Sequence, residues 1–346
     1  MKNTYIIGEI GQNHNGSVDL AKLIIELISR PVHEDVFGMD FMPMNAVKMT
    51  KRDLSEELAV SQMNQIYDNP NSFGRTYGEH RAFLELDDQA HFEIYKYAKS
   101  LGLDFIETLC AKGCLSLLKL FTPDRLKVAS RDLTNLPLLE ALAETHIPII
   151  LSTGMAGQRE LDNALDVITR YHSNIAILHC VSQYPTHPNN LNLRTITYLK
   201  KHYNKFEIGF SDHTIGISAA TAAVAMGAEI IEKHVTIDRH MKGTDQLGSL
   251  GPDGVNRMIR DIRIAECWLG TEGLYIEKGV EKSKIKLERS IATRKYIPAG
   301  SIIQESDIHL LSPGDGYKWI DKENVIGHFA KQDISANEII YPDFIE

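Results

Sequence analysis

The feature that most constrains the fold is a regular alternation of short apolar runs with helix-length amphipathic stretches over most of the chain. Eight runs have the length of buried strands, at Tyr5–Ile10, Asn45–Met49, Asp104–Leu109, Arg125–Ala129, Ile147–Ser152, Asn174–Cys180, Phe206–Phe210 and Ala228–Val235. Helical patterns between them include Leu20–Ile28, Ala90–Ser100 and Ile217–Met226. This order predicts an α/β fold, a (β/α)8 TIM barrel. An open doubly wound sheet is the competing fold, but no Gly-x-Gly-x-x-Gly turn follows the first strand, which weakens its dinucleotide-binding version.

Two segments interrupt the alternation. Residues 51–88 form a long polar insertion after the second predicted strand, and a loop of this length is often functional. After Gly279 the pattern changes to short strand signals and turns. We therefore predict a barrel domain over residues 1–276, a charged linker over 277–285 and a small β-rich domain over 286–346.

Composition and charge exclude several classes of protein. The 346-residue chain is 43% apolar, as expected of a globular protein with a large core. Its net charge of −9 argues against a general binder of nucleic acid or of anionic membranes. No apolar run reaches the length of a membrane span, and the N-terminus lacks the pattern of a signal peptide. We therefore expect a cytoplasmic protein with no membrane or nucleic-acid partner.

The four cysteines are too few for a disulfide-rich scaffold. Cys110 and Cys114 have the spacing of half a zinc site, but no second close pair completes it. Buried, reduced thiols are the favoured interpretation for all four, Cys180 and Cys267 included.

Polar side chains follow the predicted strands where each strand ends, and in a barrel these ends converge on one pocket. They are Glu9, Lys48, Thr108, Lys127, Ser130, Ser152, Ser211, His213, Glu232 and His234, with Asp245 in the loop after the last strand. Two ammonium groups among hydroxyls suit a phosphate or a phosphate-plus-carboxylate ligand. Two histidines from adjacent strand ends suit a divalent metal that polarises a carbonyl.

Taken singly, each of these residues has an ordinary explanation. A lysine after a strand is commonly solvated, a lone histidine is commonly structural, and Ser152 can cap a helix. The same holds for neighbouring residues outside the set. We expect His14 to stabilise a turn, Arg131 to be either an anion contact or a surface residue, and His80 and Arg81 to border or cap the pocket. Four methionines are expected to be packing residues: Met39, Met42, Met44 and Met49.

The sequence resembles the sialic acid (nonulosonic acid) synthase family over essentially its whole length. The motifs are Gly8-Glu-Ile-Gly-Gln-Asn-His-Asn-Gly16, Ala46-Val-Lys-Met-Thr-Lys-Arg-Asp53, Ser152-Thr-Gly-Met155, Leu178-His-Cys-Val-Ser-Gln-Tyr-Pro-Thr186, Ile208-Gly-Phe-Ser-Asp-His-Thr214 and Glu232-Lys-His234. The tail, with Arg289-Ser290 and Pro313-Gly-Asp-Gly316, resembles the antifreeze-like (SAF) domain that ends these synthases. Together the motifs are highly specific, although each alone would be weak.

The resemblance implies a transferase that condenses phosphoenolpyruvate with an open-chain amino sugar. It implies Mn²⁺, or another divalent ion such as Mg²⁺ or Co²⁺, on His213 and His234. It implies a domain-swapped homodimer. The implied phosphoenolpyruvate ligands are Lys48, Thr108, Lys127, Ser130, Ser152 and Ser211. The implied catalytic residues are Glu9, Glu232 and Asp245, and the implied sugar-side residues are Tyr184, Asp132, Ser182 and Thr50.

The sequence departs from the family pattern mainly on the sugar side. Phe-Gln commonly follows the second-strand lysine, where this chain has Met49 and Thr50. Gly-Ser-Gly-Glu commonly follows the fourth-strand lysine, where this chain reads Ala129-Ser-Arg-Asp132. The usual Pro-Gly-Pro-Asp reads Lys242-Gly-Thr-Asp245, and Ser312 replaces the tail arginine that reaches a partner's sugar site. The reaction type is therefore better supported than the identity of the sugar.

Three other functions stay open. A related phosphoenolpyruvate–aldose synthase would use a sugar other than N-acetylmannosamine. A metal-dependent hydrolase on the same barrel commonly has His-x-His after the first strand, whereas this chain has Asn13-His14-Asn15. A non-catalytic carbohydrate- or ice-binding protein is compatible with the tail, but it has no need of two lysines, two acids and two histidines in one pocket.

Overall fold

The computed structural model describes residues 3–346 and contains a closed barrel of parallel strands. The barrel strands are β1 Tyr5–Glu9, β4 Ala46–Lys51, β5 Asp104–Leu109, β6 Arg125–Val128, β7 Ile149–Ser152, β8 Ile175–Cys180, β9 Glu207–Asp212 and β10 Ile230–His234. Around the barrel their order is β1-β10-β9-β8-β7-β6-β5-β4. The predicted (β/α)8 barrel is confirmed, and each predicted strand overlaps an observed one.

The register of the barrel brings the strand ends to one level. Glu9 is paired in register with both Lys48 on β4 and His234 on β10. Thr108 on β5 is likewise opposite Lys127 on β6. Because all eight strands run in the same direction, their last residues meet at one end of the barrel. The predicted convergence of these side chains is therefore a consequence of the strand register.

Helices surround the barrel and bury one face each. They are α1 Val18–Ile28, α5 Asp88–Ser100, α6 Leu136–Ala143, α7 Gln158–Ile168, α8 Arg194–His202, α9 Ser218–Ala225 and α10 Pro252–Leu269. In α1 the Ser17 side chain caps the first turn by accepting from the Leu20 amide. Ala21, Ile24 and Ile28 of α1 are buried at the spacing of one helix face, against the apolar outer side of the strands.

Between β5 and β6 the chain uses a 3₁₀ helix, Lys112–Lys119, in place of an α-helix. A short antiparallel hairpin, β2 Val32–Glu34 and β3 Met39–Phe41, follows α1 and was not predicted. The hairpin explains one wrong prediction, because Met42 directly after it is 75% exposed and is not a packing residue. Met44 and Met49 are buried as predicted.

The insertion after β4 is not an extended loop. It contains three short helices, α2 Leu54–Glu57, α3 Val60–Met63 and α4 Tyr77–Phe83. Thr76 and Glu79 form a reciprocal capping box at the start of α4, with the Thr76 hydroxyl accepting from the Glu79 amide at 3.2 Å. This local cap fixes the orientation of α4, which carries His80 and Arg81.

The chain divides into two compact units, the second comprising Thr271–Glu346. This unit contains the helix α11 Glu281–Leu287 and an antiparallel pair, β11 Ser290–Thr293 and β12 Ile308–Leu311. It has its own apolar core, formed by Ile291, Ile297, Ile303, Ile308, Val325, Ala330, Ile334, Ile340 and Ile345. The small β-rich domain predicted at the C-terminus is therefore present, and α11 occupies much of the stretch predicted as a linker.

All four cysteines are free, but only three are buried. The prediction of a buried thiol is wrong for Cys267, which lies exposed near the end of α10. Among residues 3–346, no helix is long and apolar enough to cross a membrane. The cytoplasmic location stays a prediction.

Candidate active site

The carboxyl ends of the barrel strands surround a cavity of about 290 Å³. Thirteen of the predicted site residues line it: Glu9, Lys48, Thr50, Thr108, Lys127, Ser130, Ser152, Tyr184, Ser211, His213, Glu232, His234 and Asp245. We call the part formed by strand residues Lys48, Thr108, Lys127, Ser152 and Ser211 the floor. All five floor side chains are buried.

The two floor lysines have different partners. Lys48 Nζ lies 2.7 Å from Glu9 Oε2 and 3.8 Å from Glu232 Oε2, and these two carboxylates raise its pKa although burial opposes them. Lys127 Nζ donates to Ser152 Oγ at 2.7 Å, and burial lowers its pKa. Lys127 thus has no carboxylate at ion-pair distance among the described residues. Its ammonium is the floor group most available to an anionic ligand.

The carboxyls of Glu9 and Glu232 are shifted in opposite directions. Burial raises the pKa of Glu9 to about 7, against the pull of Lys48. Burial also acts to raise the pKa of Glu232, but Lys127 and Lys48 outweigh it and hold that pKa well below its usual range. Ser211 Oγ adds a hydrogen bond to Glu232 Oε1 at 2.9 Å. Two carboxyls whose environments separate their pKa values are suited to different roles in one reaction.

A glycine brings three polar side chains together beside the floor. Gly154 donates its amide to Ser130 Oγ at 3.0 Å. A Cβ at this position would lie 2.4 Å from Ser182 Oγ and 2.9 Å from Cys180 Sγ, closer than carbon can approach. The bare backbone therefore lets these side chains approach one another.

The two predicted metal ligands lie side by side. The ring centres of His213 and His234 are 5.7 Å apart, a distance that two imidazoles can span when both bind one ion through bonds of about 2.1 Å. The carbonyl of Val181 lies 2.9 Å from His213 Nδ1, which favours the proton on that nitrogen and a free electron pair on the other. Burial lowers the pKa of His234, so its ring is neutral at neutral pH.

His234 Nδ1 is buried with no hydrogen-bond partner among the residues described. Gly11, with φ +55°, allows close packing here, because a Cβ would lie 3.1 Å from Asp245 Oδ2 and 3.2 Å from His234 Nδ1. These donors fit a divalent ion. Among residues 3–346, no group of three or more His, Cys, Asp or Glu side chains is placed to hold a metal ion.

A buried ion pair stands behind both histidines. Lys233 Nζ and Asp212 Oδ2 are 2.9 Å apart with both side chains fully buried. Each residue directly precedes one of the two histidines on neighbouring strands. Successive side chains of a strand point to opposite faces, so the histidine side chains lie on the face opposite this ion pair. The pair thereby fixes the register of the two strands.

A second part of the cavity lies beyond the strand ends. We call Arg52, Tyr67, Tyr77, Arg81 and Arg131 the outer wall; the first four come from the insertion and the fifth follows β6. Each arginine has a carboxylate partner: Arg52 Nη1 lies 3.2 Å from Glu85, and Glu57 bridges Arg81 Nη2 at 3.4 Å and Arg131 Nη2 at 3.1 Å. The insertion is thereby joined to the end of β6.

The structure also locates the other residues that the sequence singled out, two of them outside the cavity lining. Asp132 and Ser182 are absent from the described residues that line the cavity. Asp132 instead pairs with Arg131 Nε at 3.3 Å. His14 is buried and accepts from the Gly16 amide, in agreement with a turn. Arg131 lines the cavity.

Sequence reasoning missed several cavity residues. Arg52, Tyr67 and Tyr77 belong to the insertion, whose length signalled function without identifying its side chains. Cys180 ends β8 and could have been found by the same strand-end rule that identified Ser152. The roles of all site residues stay predictions.

Comparisons with known proteins agree with this architecture. The NeuB family model matches residues 42–273, and the SAF domain model matches residues 288–346. The chain is 31% identical to the N,N'-diacetyllegionaminic acid synthase of Legionella pneumophila, over 99% of this chain and 94% of that protein. It is 29% identical to the N-acetylneuraminate-9-phosphate synthase of Homo sapiens, over 99% and 92%. The crystal structure of N-acetylneuraminic acid (sialic acid) synthetase from Leptospira borgpetersenii in complex with citrate superposes with a TM-score of 0.68 at 30% identity, over 82% of this chain and 90% of that one.

Proposed function

The chain belongs to the NeuB family, and on that premise we propose that it condenses phosphoenolpyruvate with an open-chain amino sugar. The products are a 3-deoxy-2-keto sugar acid and inorganic phosphate. The enzyme is a transferase of the N-acetylneuraminate synthase type. The observation that carries the proposal is the meeting of two lysines, two separately tuned glutamates and two histidines at one end of the barrel.

The floor is suited to phosphoenolpyruvate, which carries a carboxylate and a phosphate. Lys48 and Lys127 supply two ammonium groups, and buried lysines bind such groups as strong point charges. Thr108, Ser152 and Ser211 add hydroxyl donors of adjustable direction, and Ser130 lies beside them. We infer that these six side chains hold the enol phosphate with C3 directed towards the sugar aldehyde.

His213 and His234 would hold a divalent ion such as Mn²⁺, Mg²⁺ or Co²⁺. The ion supplies Lewis-acid chemistry for the aldehyde, which needs activation because C3 of phosphoenolpyruvate is a weak carbon nucleophile. The chain's own contribution is to present two imidazoles at the ends of adjacent strands, and burial lowers the pKa of His234 so that its ring is neutral at neutral pH. Asp245 lies near His234 beside Gly11, and Tyr184 packs against His213 with ring centres 4.0 Å apart.

The two glutamates suit the two later steps. Bond formation between C3 and the aldehyde carbon leaves a cationic centre at C2, and the aldehyde oxygen becomes a hydroxyl by taking up a proton from water. Ionised Glu232 stabilises the cation. Glu9, with a pKa near neutrality, takes the proton of the water that adds to C2. The resulting tetrahedral centre then expels phosphate by cleavage of the C2–O bond, which leaves the 2-keto acid.

Tyr184 and Thr50 lie in the cavity and are the proposed contacts to the sugar. The active unit is proposed to be a domain-swapped homodimer in which the C-terminal domain of one subunit completes the sugar site of the other. Ser312 stands where an arginine is common in the family, and its hydroxyl donates to the Leu287 carbonyl at 2.9 Å. Light scattering tests this proposal: a fully active monomer would refute it.

The experiment that tests the function is phosphate release from phosphoenolpyruvate with Mn²⁺ across a panel of aldoses. The panel contains N-acetylmannosamine, its 6-phosphate, diacetamido-dideoxy hexoses, and plain pentoses and hexoses. We expect release with at least one amino sugar, matched mole for mole by a new 2-keto acid. Release without a new 2-keto acid would indicate hydrolysis and contradict the proposal.

A further inference from the structure

The cavity carries more positive charge than phosphoenolpyruvate alone requires. Its described lining contains five lysine and arginine side chains against three carboxylates. Two of the cations, Lys48 and Lys127, belong to the floor and match the two charged groups of phosphoenolpyruvate. The other three are the arginines of the outer wall, which have no role in the proposed reaction.

The outer-wall arginines are held by carboxylates that stand outside the cavity. Glu57, Glu85 and Asp132 provide these partners, and none of them is among the described residues that line the cavity. A guanidinium has five donors in a planar fork, and one carboxylate occupies at most two of them. Arg52 and Arg81 have one carboxylate partner each and Arg131 has two, so each arginine keeps N–H donors that no carboxylate occupies.

Two of these donors lack a partner. Arg52 Nε and Arg81 Nε are buried and make no hydrogen bond to any part of the chain that the structure describes. A buried, unsatisfied N–H is costly and uncommon in folded proteins. Both arginines therefore retain hydrogen-bonding capacity that the described part of the chain does not use.

The strand order locates the outer wall relative to the reacting groups. Arg52 follows β4 and Arg131 follows β6, whereas His213 and His234 stand at the ends of β9 and β10. In the closed barrel, β4 to β6 lie across the mouth from β8 to β10. A sugar whose aldehyde is at the histidines would extend its far end towards the arginines.

We propose that the outer wall is a subsite for an anionic group, a phosphate or a carboxylate, carried by the acceptor sugar at the end away from its aldehyde. This rests on the proposed function. Arginine forks bind both groups through paired hydrogen bonds. The phosphate of phosphoenolpyruvate is the other source of such an anion, and the floor already provides for it.

The test compares three acceptors in steady-state assays of the full-length enzyme with Mn²⁺: N-acetylmannosamine, its 6-phosphate and N-acetylmannosaminuronic acid. The variants are Arg52→Gln and Arg131→Gln, which stand on separate segments, so that a folding defect in one leaves the other informative. The matched control is Arg125→Gln. Arg125 also forms an arginine–carboxylate pair, with Glu207 at 2.9 Å, but it lies at the opposite end of the barrel strands.

We expect the wild-type kcat/KM to favour one anionic sugar over the neutral sugar by about tenfold or more, since a charge-assisted pair contributes about 1.5–3 kcal/mol. Each outer-wall variant should lose most of that preference while its KM for phosphoenolpyruvate changes less than about twofold. The Arg125→Gln control should retain the preference. Equal use of charged and neutral sugars by the wild type would overturn the proposal.

Two further outcomes separate the possible failures. A rise in the KM for phosphoenolpyruvate in the outer-wall variants would assign the arginines to the enol phosphate and reject the acceptor subsite. If no acceptor reacts, the proposed function fails in this assay, and calorimetry then decides the subsite with N-acetylmannosamine 6-phosphate and N-acetylmannosaminuronic acid as ligands. Binding of either that Arg52→Gln abolishes supports the subsite, and no binding by the wild type rejects it.

Discussion

The floor and the outer wall line one cavity but are built in different ways. Floor residues such as Lys48 and Lys127 are parts of strands, and the barrel's hydrogen-bonded register fixes their backbone. Outer-wall residues such as Arg52 and Arg81 belong to an insertion of short helices held by ion pairs. Under the proposed function, the first construction holds phosphoenolpyruvate and the second contacts the second substrate. Substitutions in each region test whether the two regions act on different substrates.

The largest effect is expected from the histidines beside the floor. His213→Ala and His234→Ala should each lower turnover roughly 1,000-fold or more, because loss of a Lewis acid removes several kcal/mol of transition-state stabilisation. Metal content, measured by mass spectrometry of the purified protein, should fall with turnover. His240→Ala is the control, since that side chain is 91% exposed on the following loop. Wild-type rates in the presence of chelator would contradict a metal role.

Lys127→Ala tests whether the floor is specific to phosphoenolpyruvate. The KM for phosphoenolpyruvate should rise roughly 10- to 100-fold, because a charge-assisted contact contributes about 1.5–3 kcal/mol. The KM for the sugar should change little in the same steady-state assays. The exposed Lys119 provides the control substitution, Lys119→Ala. An unchanged KM for phosphoenolpyruvate would show that Lys127 does not bind this substrate.

The raised pKa of Glu9 predicts a pH dependence. Burial keeps its carboxyl protonated below about pH 7, where it cannot accept a proton from water. The kcat/KM should therefore increase as the pH rises through about 7 and level off above it. Glu9→Gln should be slow and should lack this limb of the profile. If the kcat/KM of Glu9→Gln showed the same increase with pH, the group that titrates would be another residue.

The smallest effect is expected from a single hydroxyl of the outer wall. Tyr77→Phe removes the phenol that accepts from Arg81 Nη1 at 2.8 Å, a loss of about 1 kcal/mol, or roughly fivefold in affinity. The change should be seen in the KM for the sugar and not in that for phosphoenolpyruvate. Equal changes for both substrates would show that the wall and the floor do not act separately.

The difference between the two regions also explains what the sequence could reveal. Strand ends were predictable because an apolar run that stops at Lys48 or Ser152 identifies both the strand and the side chain at its end. Once eight strands are assigned, the closed barrel brings those ends together. The fold and the floor residues could therefore be predicted from a periodic pattern in the sequence.

The outer wall could not be predicted in this way. Its contacts join Glu57 to Arg131 across 74 residues and to Arg81 across 24, and no periodic pattern records such pairs. Asp132 illustrates the same limit, since the family resemblance implied a sugar contact while the neighbouring Arg131 pairs with it instead. Packing of an irregular segment decides these contacts, so a structure was needed to see them.

Because Glu57 bridges two segments, transfer of the outer wall to another barrel requires more than the insertion. One carboxylate binds an arginine of the insertion and an arginine of the barrel, so the contacts of the insertion depend on a residue outside it. Moving residues 52–85 into a related barrel that has glycine at the position of Arg131 would leave the half-buried Glu57 with one of its two arginine partners, at a cost of about 1–3 kcal/mol. A chimaera that carries Arg131 together with the insertion should be more stable than one that does not, and the two positions should change together when this site diverges.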